Sequence, residues 1–377
     1  HRLLVSPLTY TSTGDNSASP KILRRFGRKN HNLTVPQHLV VHGSVGFGID
    51  VIDRSEGTWS RAGIHRLEMY LDDSLTFVKS LDRVPADETK EIDLDYDLPM
   101  ILQGWGRFQK LYIDAGNSLP FYANKPEETG VLHTGLLREG PHTYRIVCAD
   151  FPGNRTTLTG TLIVNRRPEI AISSVDEDGV VLTGKDLDLI QTCHVAGRKF
   201  PGTAWSEHTI RRGSFEADAT GIELPVDTKR YDLLRIYAET KLGSQTPPIY
   251  YFIHKPHDPP RSVNLKAEIS DDYVRFTLGT AGMFTSAPVV TVQEGTASAH
   301  VEMQAVDLNR YSGAFAPSYN VSGRRLVSVR SEVNGQPYTS SDQLALFPVP
   351  ANRPGSFTAD PWGLGISFDS GAVYRPL

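Results

Sequence analysis

Residues 143–160 read TYRIVCADFPGNRTTLTG, and how this run is taken decides the fold. Tyr144, Ile146 and Cys148 share one side of a period-two pattern; Phe-Pro-Gly interrupts it, and alternation resumes from Arg155. Cys148, Asp150 and Asn154 lie close enough in sequence to raise the question of a metal or nucleophile site. The Pro-Gly corner between Asp and Asn points to a turn instead. Asp and Asn side chains bond nearby backbone groups in tight turns, and Gly takes a φ that other residues avoid. The run is read as a strand, a tight turn and a return strand, with Cys148 facing inward as a small apolar side chain.

The same grammar extends in both directions. HLVVHGSVGFGIDVID (residues 38–53) alternates, and GIHRLEMYLDDSLTFVKSL (residues 63–81) places Asp-Asp-Ser between two β-rich runs. ADETKEIDLDYDLPMIL (residues 86–102) is acidic and reads as a strand followed by one helical turn. Arg166-Arg167-Pro168, HDPP (residues 257–260) and PVPANRPG (residues 348–355) punctuate the chain. No long amphipathic helix is visible. The reading is all-β, as tandem immunoglobulin-like β-sandwich domains. Residues 1–35 are expected to be a linker, because TSTGDNSASP is polar and KILRRFGRK is a basic patch. A β-sandwich follows over 36–166, then immunoglobulin-like sandwiches over 167–258 and 259–349. The last of these is expected to hold about seven short strands. Residues 350–377 begin a further β domain.

Composition narrows the class. The 377 residues are 39% hydrophobic and 22% charged, as in globular chains, and 32 Gly with 25 Pro fit many short strands and turns. A net charge of −4 gives no pull toward nucleic acid. Two cysteines, Cys148 and Cys193, are too few for a disulfide scaffold or a cysteine zinc site. No run reaches the ~20 apolar residues of a membrane helix. The abrupt opening at His1 is read as that of a piece of a longer polypeptide.

Few residues offer chemistry. His38 and His42 are four apart, which on a strand is ~13 Å, too far for one metal. GSVGFG (residues 43–48) lacks the Lys-Ser/Thr of a phosphate loop, so its glycines are expected to mark bulges or close backbone approach. Asp93, Asp95 and Asp97 would share a strand face and are expected to line a solvated edge, with calcium as the lesser alternative since no Gly follows. Cys193 and His194, with Glu207 and His208, form the one Cys/His cluster, but strand neighbours point to opposite faces. Asn32, Asn154 and Asn320 are glycosylation sequons, which matter only in a eukaryotic secretory setting. The aromatic residues in GWGRF (residues 104–108, with Trp105 and Phe108), Trp205 and the pair Tyr250-Tyr251 are candidates to line a glycan or protein groove. Trp105 and Trp205 are the binding residues expected from sequence.

Four segments carry a resemblance: residues 43–77, ADETKEIDLDYD, LYIDAGNSLPFY, and GLLREGPHTYRIVCADFPGNRTTLTGTLIVN. Together they resemble the non-catalytic β-sandwich that follows the peptidase domain in large bacterial lysostaphin-type (LytM-like) zinc metallopeptidases. SPLTY (residues 6–10) stands where that family's linker would be, and the likeness covers about residues 1–165. The family's zinc site uses a His-x3-Asp pair and a later His-x-His, and neither carries over onto the matching residues. No catalytic residue, cofactor or metal ligand is therefore transferred. Zinc and peptidase activity would belong to an upstream domain.

What this implies is a bacterial periplasmic, cell-surface or secreted region that positions a peptidase or binds an envelope partner, protein or peptidoglycan. A structural or interaction subunit without enzymatic activity is the first alternative, and a carbohydrate- or peptidoglycan-binding array the second.

Overall fold

The computed structural model describes residues 2–54, 61–83, 89–114, 117, 119–122, 129–215, 221–256, 258–259, 261–269, 273–318, 323–346, 354–359 and 364–369. The chain is all-β and divides into two compact units, His1–Arg166 and Arg167–Leu377.

The first unit is a sandwich of two sheets. One runs Gln109–Lys110, Ser44–Asp50, Arg2–Pro7, Lys21–Leu23, with Leu132–His133 also on Ser44–Asp50. The other runs Ser74–Ser80, Arg66–Leu71, Gly140–Ala149, Arg155–Val164, Asn32–Thr34, Gly27–Lys29, with Leu39–His42 also on Arg155–Val164. Leu3, Val5, Val45 and Phe47 share a core with Leu67, Met69, Phe77, Tyr144, Ile146 and Cys148. Phe47 and Tyr144 meet there at 5.0 Å between centroids. Each such side chain, fully removed from water, contributes ~1.5–3 kcal/mol of transfer free energy.

Residues 1–35 are not a linker. RLLVSP forms a central strand, antiparallel to Lys21–Leu23 on one side and Ser44–Asp50 on the other. Leu3 and Val5 enter the main core, while Leu4 packs on the opposite face with Met100 and Phe108. A strand buried on both faces carries a continuous apolar run, so it lacks the alternation that marks half-buried strands. The basic patch is also structured. Gly27–Lys29 is an exposed strand at the end of its sheet, where charged side chains discourage further pairing.

The glycines of GSVGFG act through close approach. A Cβ on Gly46 would lie 2.5 Å from the Tyr112 ring, so only a hydrogen lets that ring lie against the strand.

In the second unit, Glu169–Val175, Gly179–Lys185 and Ile222–Pro225 form one sheet, and Ser206–Arg211, Ile190–Arg198, Leu233–Thr240 and Ile249–Phe252 another. Val180, Leu182, Cys193, Val195, Leu234 and Ile236 share their core. A separate core joins Val274, Phe276, Phe284, Val290, Val292, Val327 and Val329. It belongs to two four-stranded sheets: Val263–Ile269, Val274–Thr280, Arg310–Phe315 and Met303–Asp307; and Ala297–Val301, Phe284–Glu294, Gly323–Val333 and Gln336–Leu346. That makes eight strands where sequence led to about seven. Gly355–Ala359 and Leu364–Phe368 pair as a hairpin beyond them.

Candidate functional site

The turn at residues 150–154 is a structural device. Asn154 donates its backbone N–H to Asp150 Oδ1 and its side-chain amide to Oδ2, each at 2.7 Å. Gly153 takes φ +95° and donates to the Asp150 carbonyl at 3.2 Å. The Asn154 bonds hold the exposed Asp150 carboxyl below the usual range. Both hairpin strands pair in register from Gly140↔Val164 to Ala149↔Arg155. Asn154 is one of the three sequons; Asn32 is exposed, and Asn320 lies outside the described residues.

Trp105 stands at a surface corner. The helix Leu98–Leu102 begins at Asp97, which caps it by accepting from the Met100 N–H at 3.2 Å. Gly104 and Gly106 then take positive φ, and the Arg2 guanidinium donates to the Trp105 carbonyl. The Trp105 side chain is 46% exposed, with Leu98 and Leu102 also exposed on the same short segment. Phe108, three residues on, is fully buried, so GWGRF contributes one exposed aromatic and one core aromatic.

Trp205 belongs to a second surface. The Arg235 guanidinium lies 5.1 Å over its ring and donates to Glu207 at 2.8 Å. The Tyr250 ring is 6.4 Å from Trp205, and Arg235 and Tyr250 are cross-strand partners. Nearby on the same sheet, His194 stacks on Tyr237 at 4.5 Å, and its Nε2 is 3.8 Å from Glu239. Burial raises the tyrosine pKa values of Tyr237 and Tyr250. The face offers half-buried rings edged by Arg235, Glu207 and Glu239, a surface suited to stacking and hydrogen bonding. The structure does not bring Trp105 and Trp205 together within one unit. Sequence reasoning missed Arg235, Tyr237 and Glu239. The signal was in LLRIYAET, where they alternate with buried Leu234, Ile236 and Ala238.

The aspartate run is not a solvated strand edge. Thr89–Asp95 is a 3-10 helix, so Asp93, Asp95 and Asp97 do not share a strand face. Asp93 is exposed, whereas Asp95 and Asp97 are 2% and 8% exposed. Burial pushes both buried carboxyls up, opposed at Asp95 by Lys79 and at Asp97 by the Met100 N–H.

The Cys/His cluster separates as strand geometry requires. Cys193 sits in the core with its thiol pushed up to about 12 by burial, and His194 points to the other face. His208 is bound to the Tyr231 hydroxyl at 2.8 Å. His42 contacts the Asn165 carbonyl at 3.3 Å, and His142 sits between the Asp72 carboxylate (2.5 Å) and the Arg138 carbonyl (2.6 Å). Among the described residues, no three His, Cys, Asp or Glu are grouped to hold a metal ion. No described helix is long and apolar enough to cross a membrane.

No protein-family model and no curated protein sequence matches the chain. Several solved structures resemble it distantly. A tetra-tandem repeat from the extending region of a large adhesion protein is 14% identical over 87% of this chain and 77% of that one, with a TM-score of 0.22. A structure concerned with host cell surface retention of a 1.5-MDa bacterial ice-binding adhesin is 8% identical over 81% and 89%, with a TM-score of 0.18. A Bacteroides ovatus glucan-utilization protein, SGBP-B, in complex with a mixed-linkage heptasaccharide, is 11% identical over 78% and 64%, with a TM-score of 0.16. At these scores the likeness carries no argument about ligand or activity.

Proposed function

We propose that this chain is a non-catalytic string of β-sandwiches from a bacterial cell-surface or envelope protein, holding a neighbouring domain in place or docking an envelope partner. The observation that carries it is the use made of the chemistry-bearing side chains. Cys148 and Cys193 fill separate cores, Asp150 and Asn154 tie a turn, and Asp97 caps a helix. Each sandwich closes around its own apolar cluster, which suits a spacer or docking array. The resemblance over residues 1–165 supports a zinc metallopeptidase as the neighbouring domain and peptidoglycan as a partner. Co-sedimentation of the full chain with purified peptidoglycan, with and without added zinc, tests this. Retention without release of soluble fragments is expected. Zinc-dependent solubilisation would overturn the non-catalytic reading.

The Trp205 surface favours a second reading, an array that stacks on carbohydrate. Its support is the grouping of Trp205, Tyr250 and Arg235 on one sheet face. Titration with soluble glycan fragments should shift Trp fluorescence, and Trp205→Ala should abolish that shift. An unchanged titration curve in the variant sinks this reading.

A further inference from the structure

The strand Ser74–Ser80 turns a lysine into the interior of the first unit. Lys79 is 0% exposed, and its Nζ lies 2.5 Å from Asp95 Oδ2, on a side chain that is 3% exposed. Three groups hold this pair. Lys79 donates to Gln109 Oε1 at 3.2 Å, and its Nζ is 5.8 Å from the centroid of the Phe121 ring. Tyr122 donates its hydroxyl to Asp95 Oδ1, the oxygen turned away from the lysine, at 3.0 Å. Asn117 in turn donates to the Tyr122 oxygen at 3.4 Å. An amine and a carboxyl are thus held together out of water, with a hydroxyl donating to the far oxygen of the carboxyl.

We propose that Lys79 and Asp95 condense into an intramolecular amide, an isopeptide bond that ties the strand Ser74–Ser80 to the 3-10 turn Thr89–Asp95. The Lys79 Nζ–Asp95 Cγ bond forms, and one Asp95 C–O bond breaks. Of the three ammonium protons, one stays on the amide nitrogen and two leave with the carboxyl oxygen as water. Both protons pass from Nζ to Asp95 Oδ2, the oxygen in contact with it, which leaves as water, while Oδ1 stays as the amide oxygen and accepts from the Tyr122 hydroxyl. No oxidant, metal or co-reactant enters, and the net charge of the pair stays at zero.

Three features favour the reaction here. The partners are already in contact, which replaces an encounter in solution with effective molarities of ~10⁵–10⁸ M. Burial lowers the lysine pKa and raises the aspartate pKa, each against the pull of the other, so the neutral amine and neutral acid that react are brought within reach. Condensation also removes two charges held out of water at a desolvation cost, and it expels its water from an apolar surround that resists the reverse hydrolysis. The inference does not rest on the spacer or docking role.

Intact-mass spectrometry of the full chain reads it directly. The expected species is lighter than its sequence mass by one water. Trypsin should give a branched peptide joining residues 67–83, uncut after Lys79, to residues 91–107. Lys79→Met/Asp95→Leu, with apolar groups replacing both partners, should show the full sequence mass. Tyr122→Phe should slow the appearance of the lighter species at least tenfold. Full sequence mass in the unaltered chain, a water loss mapped to other residues, or the same loss in the double variant would each overturn the proposal. An unchanged rate in Tyr122→Phe overturns the role of the hydroxyl that donates to Oδ1.

Discussion

Arg325 donates through Nε to Glu294 at 2.8 Å while only 1% of the arginine side chain meets water. Its Nη1 also reaches the Gly323 and Leu346 carbonyls, and its Nη2 the Ser318 carbonyl. Removing one partner of such a pair leaves the other buried without its counter-charge. Arg325→Ala is therefore expected to destabilise the second unit by ~3–5 kcal/mol. A shifted midpoint in urea unfolding at unchanged slope checks this. A shift below about 1 kcal/mol would show that the guanidinium is dispensable.

Burial pushes the Cys148 thiol up to about 12, with Lys79 pulling weakly the other way, and pushes Cys193 up to about 12 as well. Thiolate is the reactive form, so the native chain should resist thiol reagents at pH 8 and expose both thiols only on unfolding. The sign for stability follows from the same shifts. An unfolded thiol ionises near 9.0, so the contribution is fully present below that pH and is lost as pH rises toward about 12. Denaturation midpoints should fall between pH 9 and 11. A flat profile there contradicts the burial of the thiols.

Gly46→Ala would place a methyl group 2.5 Å from the Tyr112 ring. The ring or the strand Ser44–Asp50 must move, at a cost of ~1–3 kcal/mol, as overpacking usually costs. Gly46→Ala/Tyr112→Leu, with a smaller side chain opposite, should recover part of the loss. Equal stability of Gly46→Ala and the unaltered chain in thermal melts would mean the close approach is not required.

Trp105→Ala separates binding from folding. The Trp105 backbone holds the corner, through its N–H to the Met100 carbonyl at 2.9 Å and its carbonyl to Arg2, while the residue is 46% exposed. Stability should change by no more than ~0.5 kcal/mol. Retention on peptidoglycan should fall several-fold if this surface docks there. Equal retention assigns docking elsewhere.

What was legible in the sequence followed periodicity and turn chemistry. Tyr144, Ile146 and Cys148 alternate because one face of their strand is buried. Asp72 and Asp73 mark their turn because both take positive φ, a conformation that Asp tolerates. Arg2–Pro7 escaped because burial on both faces erases alternation, and polar residues 11–20 masked it. Asp95 escaped because its partner Lys79 lies 16 residues away, and pairing across that distance leaves no local pattern. Arg325 looked like any surface arginine, and only the fold encloses it. Of the two tryptophans, the surroundings of Trp205 were partly legible in the alternation of LLRIYAET, whereas the corner at Trp105 depended on contacts with Arg2.

The central position of Arg2–Pro7 sets an order of events during synthesis. This strand leaves the ribosome ahead of all its partners. It can pair with Lys21–Leu23 early, but its other neighbour is Ser44–Asp50, and the face bearing Leu4 waits for Met100 and Phe108. More than a hundred residues must therefore emerge before the strand is enclosed, and until then an apolar segment stays open to wrong partners. A chain begun at residue 36 would lack the middle of its sheet, and the first sandwich would lose its fold rather than an appendage.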